Sequence, residues 1–424
     1  MNLEMEQFEK MTLNLYVHNR VEQKIKFIAM EDSLKRIKIQ EQDQENNESS
    51  ILIPGLPNHL AHLCLSNLDP SLLYGVSKSW RRLIYTSSFP HFYSLYVVCS
   101  RSSPTTSRAY NNGSTSNKQY YTRIDEQNSV EFFCLDPISS KWSPLPNPPS
   151  DPPIRVLRHH PSFISRSLSI QSLTVSERMV LIAATTHKFR PALERPLGFN
   201  PLCNEWFFGP PLHTPRRWCG TSSVNGKVYV ASGIGSAYHG DVARSLEKWD
   251  VKKKASEWKW EKLAGLKDGR FSREAVDAIG YRGKLCMVNI KGRAVKQGAV
   301  YDVTKDEWEE MPKGMLGGWN GPAAATTIND ESEMYVVDET QGSLSKYVSE
   351  TDQWEVLIES CNELKGAEQI SAGRGRVCVI CSGGRKIVVV DVAVKPANVI
   401  RVLSTPPEME AIALHILPRI SVED

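Results

Sequence analysis

The 424-residue chain reads as a mostly β protein, a six-bladed β-propeller preceded by a small all-α segment. Three observations predict this. Short β-branched runs recur in fours, with a repeat of roughly 45 to 55 residues, the size of one blade. The turn between the first two runs of each group repeats its chemistry. Ahead of all of them, "GLPNHLAHLCLSNLDPSLLYGVSKSW" (Gly55 to Trp80) places its leucines at helical spacing.

The groups can be laid out in order. "RRWCGTSSVNGKVYVASG", "SLEKWDV" and "WKWEKLAG" make one unit, and "REAVDAIGYRGKLCMVNI", "GAVYDV" and "EWEEMPKG" the next. "GPAAATTINDESEMYVVDE", "SLSKYVS" and "QWEVLIES" follow, then "AEQISAGRGRVCVICSGG", "KIVVVDV" and "NVIRVLST". Their first turns, Asn225-Gly226-Lys227, Arg282-Gly283-Lys284, Asn329-Asp330 and Arg374-Gly375-Arg376, suit tight hairpins. Upstream, "LSIQSLTVSERMVLIAATT", "PLGFNPL" and "EWFFGPPL" form a looser unit. "FYSLYVVCS", "VEFFCLD" and "KWSPLP" form one that lacks a first strand. "EAIALHILP", Glu410 to Pro418, supplies it and closes the ring, which removes the open edges of a linear array.

In the helical segment, Leu56-Pro57 opens a helix carrying Leu60, Leu63, Cys64 and Leu68, and Asp69-Pro70 is a stop followed by a fresh N-cap. A second piece offers Leu72, Leu73 and Val76, and a third Trp80, Leu83 and Ile84. About 40 residues cannot hide this much apolar surface within themselves, so some of it needs a partner. Met1 to Ser50, polar toward its end, reads as a disordered or weakly helical tail, and Arg101 to Ser129 as a mobile loop.

Two resemblances follow. "HTPRRWCGTSSVNGKVYVASGIG" is similar to a kelch repeat, and Trp142, Trp206, Trp258 or Trp260, Trp308 and Trp354 recur near the start of the fourth strand as that family's aromatic does. The paired glycine of the repeat is intact only at Gly383-Gly384. Leu56-Pro57, Cys64-Leu65 and Val76-Ser77-Lys78-Ser79-Trp80-Arg81-Arg82-Leu83 resemble an F-box, with Asn58 and His59 where the family often carries an acid. Together they imply a plant-type F-box/kelch-repeat protein: an F-box over residues 51–92, and over 93–418 a kelch-type propeller closed by the C-terminal strand. F-box segments dock on the Skp adaptor of SCF-type cullin-RING ubiquitin ligases. The resemblance therefore implies a substrate receptor in the protein ubiquitination pathway, with no catalytic residues or cofactor of its own. On this reading Leu56, Pro57, Leu60, Leu65, Leu68 and Val76 face the adaptor, and Trp80 fills the core of the helical segment.

Target contacts are expected just before each first strand, where loops between blades gather at one face. Arg155, Arg216, Arg217, Arg270 and Arg273 come from three such junctions, and Trp319 with Asn320 from the next. Converging guanidinium groups suit a carboxylate or phosphate, which points to an acidic peptide or modified protein, although an arginine here can equally tie blades together.

Other classes find less support. A net charge of +3 with 23% charged residues gives no strong pull toward nucleic acid or anionic membrane. The lysines and tryptophans of "VKKKASEWKWEK" belong to a blade turn and its fourth strand. No apolar run approaches the ~18 residues needed to span a bilayer, and the opening "MNLEMEQFEK" has no apolar core of a signal peptide. Nine scattered cysteines fit free thiols in a reducing compartment, so cytosol or nucleus is expected, and the Asn-x-Ser matches at Asn47 and Asn112 carry no weight.

Cys378 and Cys381, three apart on a strand, point to opposite faces and do not make half a metal site. His59 with His62, and the pair His159-His160, lack further ligands nearby. Walker, HExxH and Gly-x-Ser-x-Gly motifs do not occur, and the glycines of "SGIGSAYHG" open no helix. A propeller enzyme and a cytoskeletal kelch protein without a ligase remain the alternatives.

Overall fold

The computed structural model describes residues 51–101, 129–149, 154–157, 169–186, 188–272, 276–289, 296–328 and 331–420. The expected tail over residues 1–50 and almost all of the expected loop over 101–129 lie outside the described residues. The backbone groups into two compact units, Met1–Ala61 and His62–Asp424. In the first, Ile53 and Leu56 form an isolated bridge, Leu52 N donates to Asn58 Oδ1 at 3.1 Å, and helix α1 (Asn58–Leu65) begins.

Among the described residues the second unit holds two more helices ahead of the strands, and short helices at Gly240–Arg244 and Lys313–Gly318 with a 3-10 turn at Ala255–Glu257 between strands. Helix α2 (Pro70–Tyr74) starts as the sequence predicts, with Pro70 in the first turn and Asp69 Oδ1 accepting from Ser71 N at 2.9 Å. Helix α3 (Lys78–Leu83) is capped by Ser77 Oγ, which accepts from Trp80 N at 3.1 Å.

The strands form six four-stranded antiparallel sheets. Blade one joins β1 (Tyr93–Arg101), β2 (Val130–Asp136) and β3 (Lys141–Pro144) to the last strand, β24 (Met409–Pro418). β24 lies innermost, with Val97 opposite Leu414 and Tyr93 opposite Pro418. Blade two is β4 (Ile170–Val175) to β7 (Glu205–Phe208), blade three β8 (Gly220–Val224) to β11 (Trp260–Lys262), and blade four β12 (Val276–Tyr281) to β15 (Glu307–Glu310). Blade five is β16 (Ala323–Ile328) to β19 (Gln353–Ile358), and blade six β20 (Gln369–Gly373) to β23 (Asn398–Ser404). The predicted six-bladed ring and its closure by the C-terminal strand are therefore both present.

Local chemistry explains the repeats. Asn225-Gly226, Arg282-Gly283 and Arg374-Gly375 all have positive φ at both positions, the conformation of a two-residue hairpin that glycine adopts without strain. The fourth predicted turn, Asn329-Asp330, lies outside the described residues.

The core is not one mass but six apolar clusters, each between neighbouring blades. Both faces of a middle strand are consequently apolar. On β21 (Arg376–Cys381), Val377, Val379 and Cys381 pack toward blade five, and Cys378 and Ile380 toward blade one. The two cysteines thus point to opposite faces, as their spacing requires.

The recurring tryptophans latch each blade to the one before it. Their indole Nε1 groups donate to a carbonyl at or shortly beyond the end of the preceding blade's fourth strand: Trp142 to Ser404 O (3.1 Å), Trp206 to Pro146 O (2.7 Å) and Trp260 to Pro210 O (2.9 Å). Trp308 donates likewise to Ala264 O (2.8 Å) and Trp354 to Gly314 O (3.1 Å). Trp260 takes this role, while Trp258 donates locally to Lys253 O. β23 of blade six carries no tryptophan, so its boundary with blade five relies on the apolar cluster between them.

Candidate functional site

Two places could carry function: the helical segment and the face of the propeller from which the blade junctions emerge. In the first unit Leu60 is 42% exposed, Pro57 is exposed and Leu56 half-buried. In the second, Leu63, Leu72 and Val76 are exposed at 64%, 58% and 44% and Leu68 is half-buried, whereas Leu73, Trp80, Leu83 and Ile84 are buried. Trp80 is thus a core residue, as expected.

One expected adaptor residue is placed otherwise. Leu65 is 1% exposed, because on α1 it sits four residues after buried Ala61 and shares its inward face. Exposed Leu63 and Leu72, absent from the expected set, take the outward positions. Leu63 belongs to the same helical stripe as Leu60, but which stripe faces outward is settled only by packing.

The helices of the second unit rest on the end of the propeller that bears its first-to-second-strand and third-to-fourth-strand turns. Tyr85 Oη donates to Asp136, at the third-to-fourth-strand turn of blade one, and burial together with that carboxylate pushes the Tyr85 phenol well above its ordinary range. The blade junctions open at the opposite end.

At that opposite end most of the expected target-binding side chains are already engaged. Arg216 is 1% exposed and ion-paired with Glu247; its Nη1 also donates to Ser245 Oγ (2.7 Å) and Ser232 O (3.2 Å), and its Nε to Thr214 O (3.2 Å). It ties blade three together and cannot clamp a ligand. Trp319 is likewise a core residue, fully buried with Nε1 donating to Asp277 Oδ2 at 3.2 Å, rather than a contact surface.

Arg270 is exposed, but Asp268 occupies its guanidinium at 2.8 and 2.9 Å, and those charged hydrogen bonds hold the Asp268 carboxyl down at about 2. Asn320 is exposed and accepts from Lys296 Nζ at 2.7 Å. Arg155 is exposed, beside a bridge to Ser129. Arg217 stacks over Trp218 (4.5 Å) and donates through Nη1 to Gly235 O (2.7 Å), while its buried Nε has no acceptor. Arg273 lies outside the described residues. Arg217 is itself only 8% exposed, so of the predicted arginines Arg155 alone is described as exposed without a side-chain carboxylate on it, and no convergence of arginines is seen among the described residues.

The innermost strands enclose a cavity of about 230 Å³ whose lining carries the carboxylates Asp277 and Glu368 and no lysine or arginine. Polar side chains here link blade to blade. His415 bonds Thr174 (3.1 Å) and Ser172 (3.0 Å) across blades one and two, and Ser223 Oγ donates to Thr174 O (2.9 Å) across two and three. Ser222 Oγ accepts from Gly280 N (2.7 Å), Asp277 from Ala323 N (3.1 Å) and Gln369 Oε1 from Leu414 N (3.1 Å). Burial depresses the His415 imidazole to about 4, so it is neutral at physiological pH. No group of three or more His, Cys, Asp or Glu side chains is arranged to hold a metal ion among the described residues.

No protein-family model matches the chain. It is 46% identical over 383 residues to the F-box/kelch-repeat protein SKIP25 of Arabidopsis thaliana, covering 88% of this chain and 91% of that protein. The chain belongs to the F-box/kelch-repeat family. More distant relatives from the same plant are the F-box protein AFR, 25% identical over 83% of this chain and 87% of the relative, and the F-box/kelch-repeat protein SKIP4, 22% identical over 73% and 76%. In this F-box/kelch-repeat protein the propeller blades are the kelch repeats, and Arg216, the arginine before the first strand of the best-formed repeat, is a structural member of its blade.

Proposed function

We propose that this F-box/kelch-repeat protein is the non-catalytic substrate receptor of an SCF-type cullin-RING ubiquitin ligase, working in the cytosol or nucleus. The helices dock on the Skp adaptor and, through it, the cullin scaffold; the propeller holds the target protein. The observation that carries this is the set of exposed apolar side chains, Leu63 and Leu72 on helices whose opposite faces are buried and Val76 in the turn between α2 and α3. Leu56, Pro57, Leu60 and Leu68 add to the adaptor surface. Arg155, with Asn320, is what remains exposed of the polar groups expected to meet the target. The receptor contributes no acid, base or nucleophile. It accelerates transfer by holding a target lysine at high effective concentration near the charged conjugating enzyme.

The test is co-purification of the full chain with the Skp adaptor. Wild type should retain adaptor through gel filtration, and Leu63→Asp/Leu72→Asp should lose it while its melting temperature stays unchanged. Failure of wild type to bind any Skp adaptor from a plant source would refute the receptor role.

A further inference from the structure

The closing strand does more than complete blade one. Immediately after β24, Arg419 is 2% exposed, and its guanidinium is spent on the chain that leads from the helices into the propeller. Nη1 donates to Tyr85 O at 3.0 Å, and Nη2 to Thr86 O and, at 3.5 Å, to Phe89 O. Its backbone N–H donates to Phe92 O at 2.9 Å, and its charge lies 5.4 Å from the Phe92 ring centroid.

Among the described residues this cation has no carboxylate partner within ion-pair distance. Carbonyl dipoles and a ring face compensate its charge, and all of the carbonyls but one (Ile420 O) belong to the connecting chain. Burying an arginine is costly unless its donors are met; Nη1 and Nη2 are met by these carbonyls while the buried Nε finds no acceptor among the described residues, so losing the connector's course would leave the guanidinium with almost nothing. Tyr85 makes the second tie, to Asp136, and its ring packs edge-on to Tyr74 of α2 and to Phe92.

We infer that Arg419 is a positioning residue for ubiquitin transfer: it fixes the helices of the second unit to the propeller as one rigid piece, and so sets where a bound target stands relative to the ligase. This rests on the receptor reading above. A loose connector would leave adaptor and target affinities intact and lower only the fraction of time in which a target lysine is in reach.

The experiment uses the full chain, co-expressed with the Skp adaptor, as wild type, Arg419→Met and, in case the first variant folds poorly, Arg419→Lys and Tyr85→Phe. Hydrogen exchange of the amides from Thr86 to Phe92, and the distance distribution between dyes on unnatural amino acids at Arg82 and Lys365, report rigidity directly. Arg419→Met should exchange faster there and broaden the distribution.

As the acceptor probe, a lysine-bearing tag is inserted between the exposed residues Ser236 and Ala237. Covalent attachment removes target affinity from the measurement. With the tag on a short stiff arm, Arg419→Met should slow single-turnover ubiquitin transfer about tenfold. On a long Gly/Ser arm, which reaches the enzyme without help, the variant and wild type should transfer alike, a split that a merely destabilised protein would not show. Unchanged exchange and distances, or equal rates on the short arm, would overturn the inference. If wild type modifies neither tag, the receptor reading has failed; the exchange and distance data still decide whether Arg419 stiffens the connector.

Discussion

The propeller and the helices ahead of it treat their side chains in opposite ways. In the propeller the largest apolar groups, Trp249, Trp319, Tyr96 and Tyr335 among them, are buried between blades, and even the arginine expected to reach for a ligand, Arg216, is closed on Glu247. In the helical segment Leu63 and Leu72, with Val76 in the turn between α2 and α3, stay in water. Burying one such side chain is worth about 1.5–3 kcal/mol, so the helices forgo several kcal/mol that a docking surface would recover. The contrast is one of density: the propeller also leaves Tyr238, Val356, Ile400 and Val402 exposed, but over a far longer chain, and on the receptor reading proposed above the short helical segment holds stability in reserve for a partner.

The contrast can be broken first from its buried side. Trp249→Ala empties a site packed by Trp258 and Trp260 and should cost about 3–5 kcal/mol in urea unfolding. Next is His415, whose imidazole is held near 4 in the folded state against about 6.5 when unfolded. The unfolded chain then binds the extra proton, so this contribution is whole above pH 6.5 and is lost as pH falls toward 4, by about 3 kcal/mol at most. Wild type should lose more stability than His415→Asn between pH 7.5 and 5; parallel curves would show that the imidazole does not stay neutral.

On the exposed side, Leu72→Asp should weaken adaptor capture by about 1–3 kcal/mol in a binding titration yet leave unfolding within about 0.5 kcal/mol of wild type. If Leu72→Asp unfolds the chain instead, the side chain is structural and the contrast disappears. The smallest effect belongs to Arg270→Ala, which removes an exposed pair with Asp268 and should change stability by less than about 1 kcal/mol.

Much of the fold was legible because its signals are local. Asn225-Gly226 and Arg282-Gly283 announce hairpins within two residues, and the tryptophans mark fourth strands because each reaches a backbone carbonyl near the end of the blade before. The missing first strand of blade one could be placed at Glu410 to Pro418 since a ring must close. The site was less legible because its outcome depends on partners distant in sequence. Arg216 is neutralised by a glutamate 31 residues away. Nothing local marked the pair, since Glu247 stands beside Lys248 and Asp250 in "SLEKWDV" and only the packing decides that it is the buried one. Leu65 and Leu63 look alike in the sequence; which one turns inward is decided by the direction the helix faces after packing. Arg419 carried no local signal at all, since its acceptors are backbone carbonyls, which every residue possesses.

One consequence follows for how the molecule is made. Tyr96, near the start of the ring, donates to Pro418 O at its very end, 322 residues later. On the ribosome blade one must wait without its inner strand while every other blade emerges, with β1 offering unpaired backbone to any passing strand. The ring becomes whole only when synthesis passes residue 418, so a chain that stops short would leave an open edge for chaperones and proteases to find.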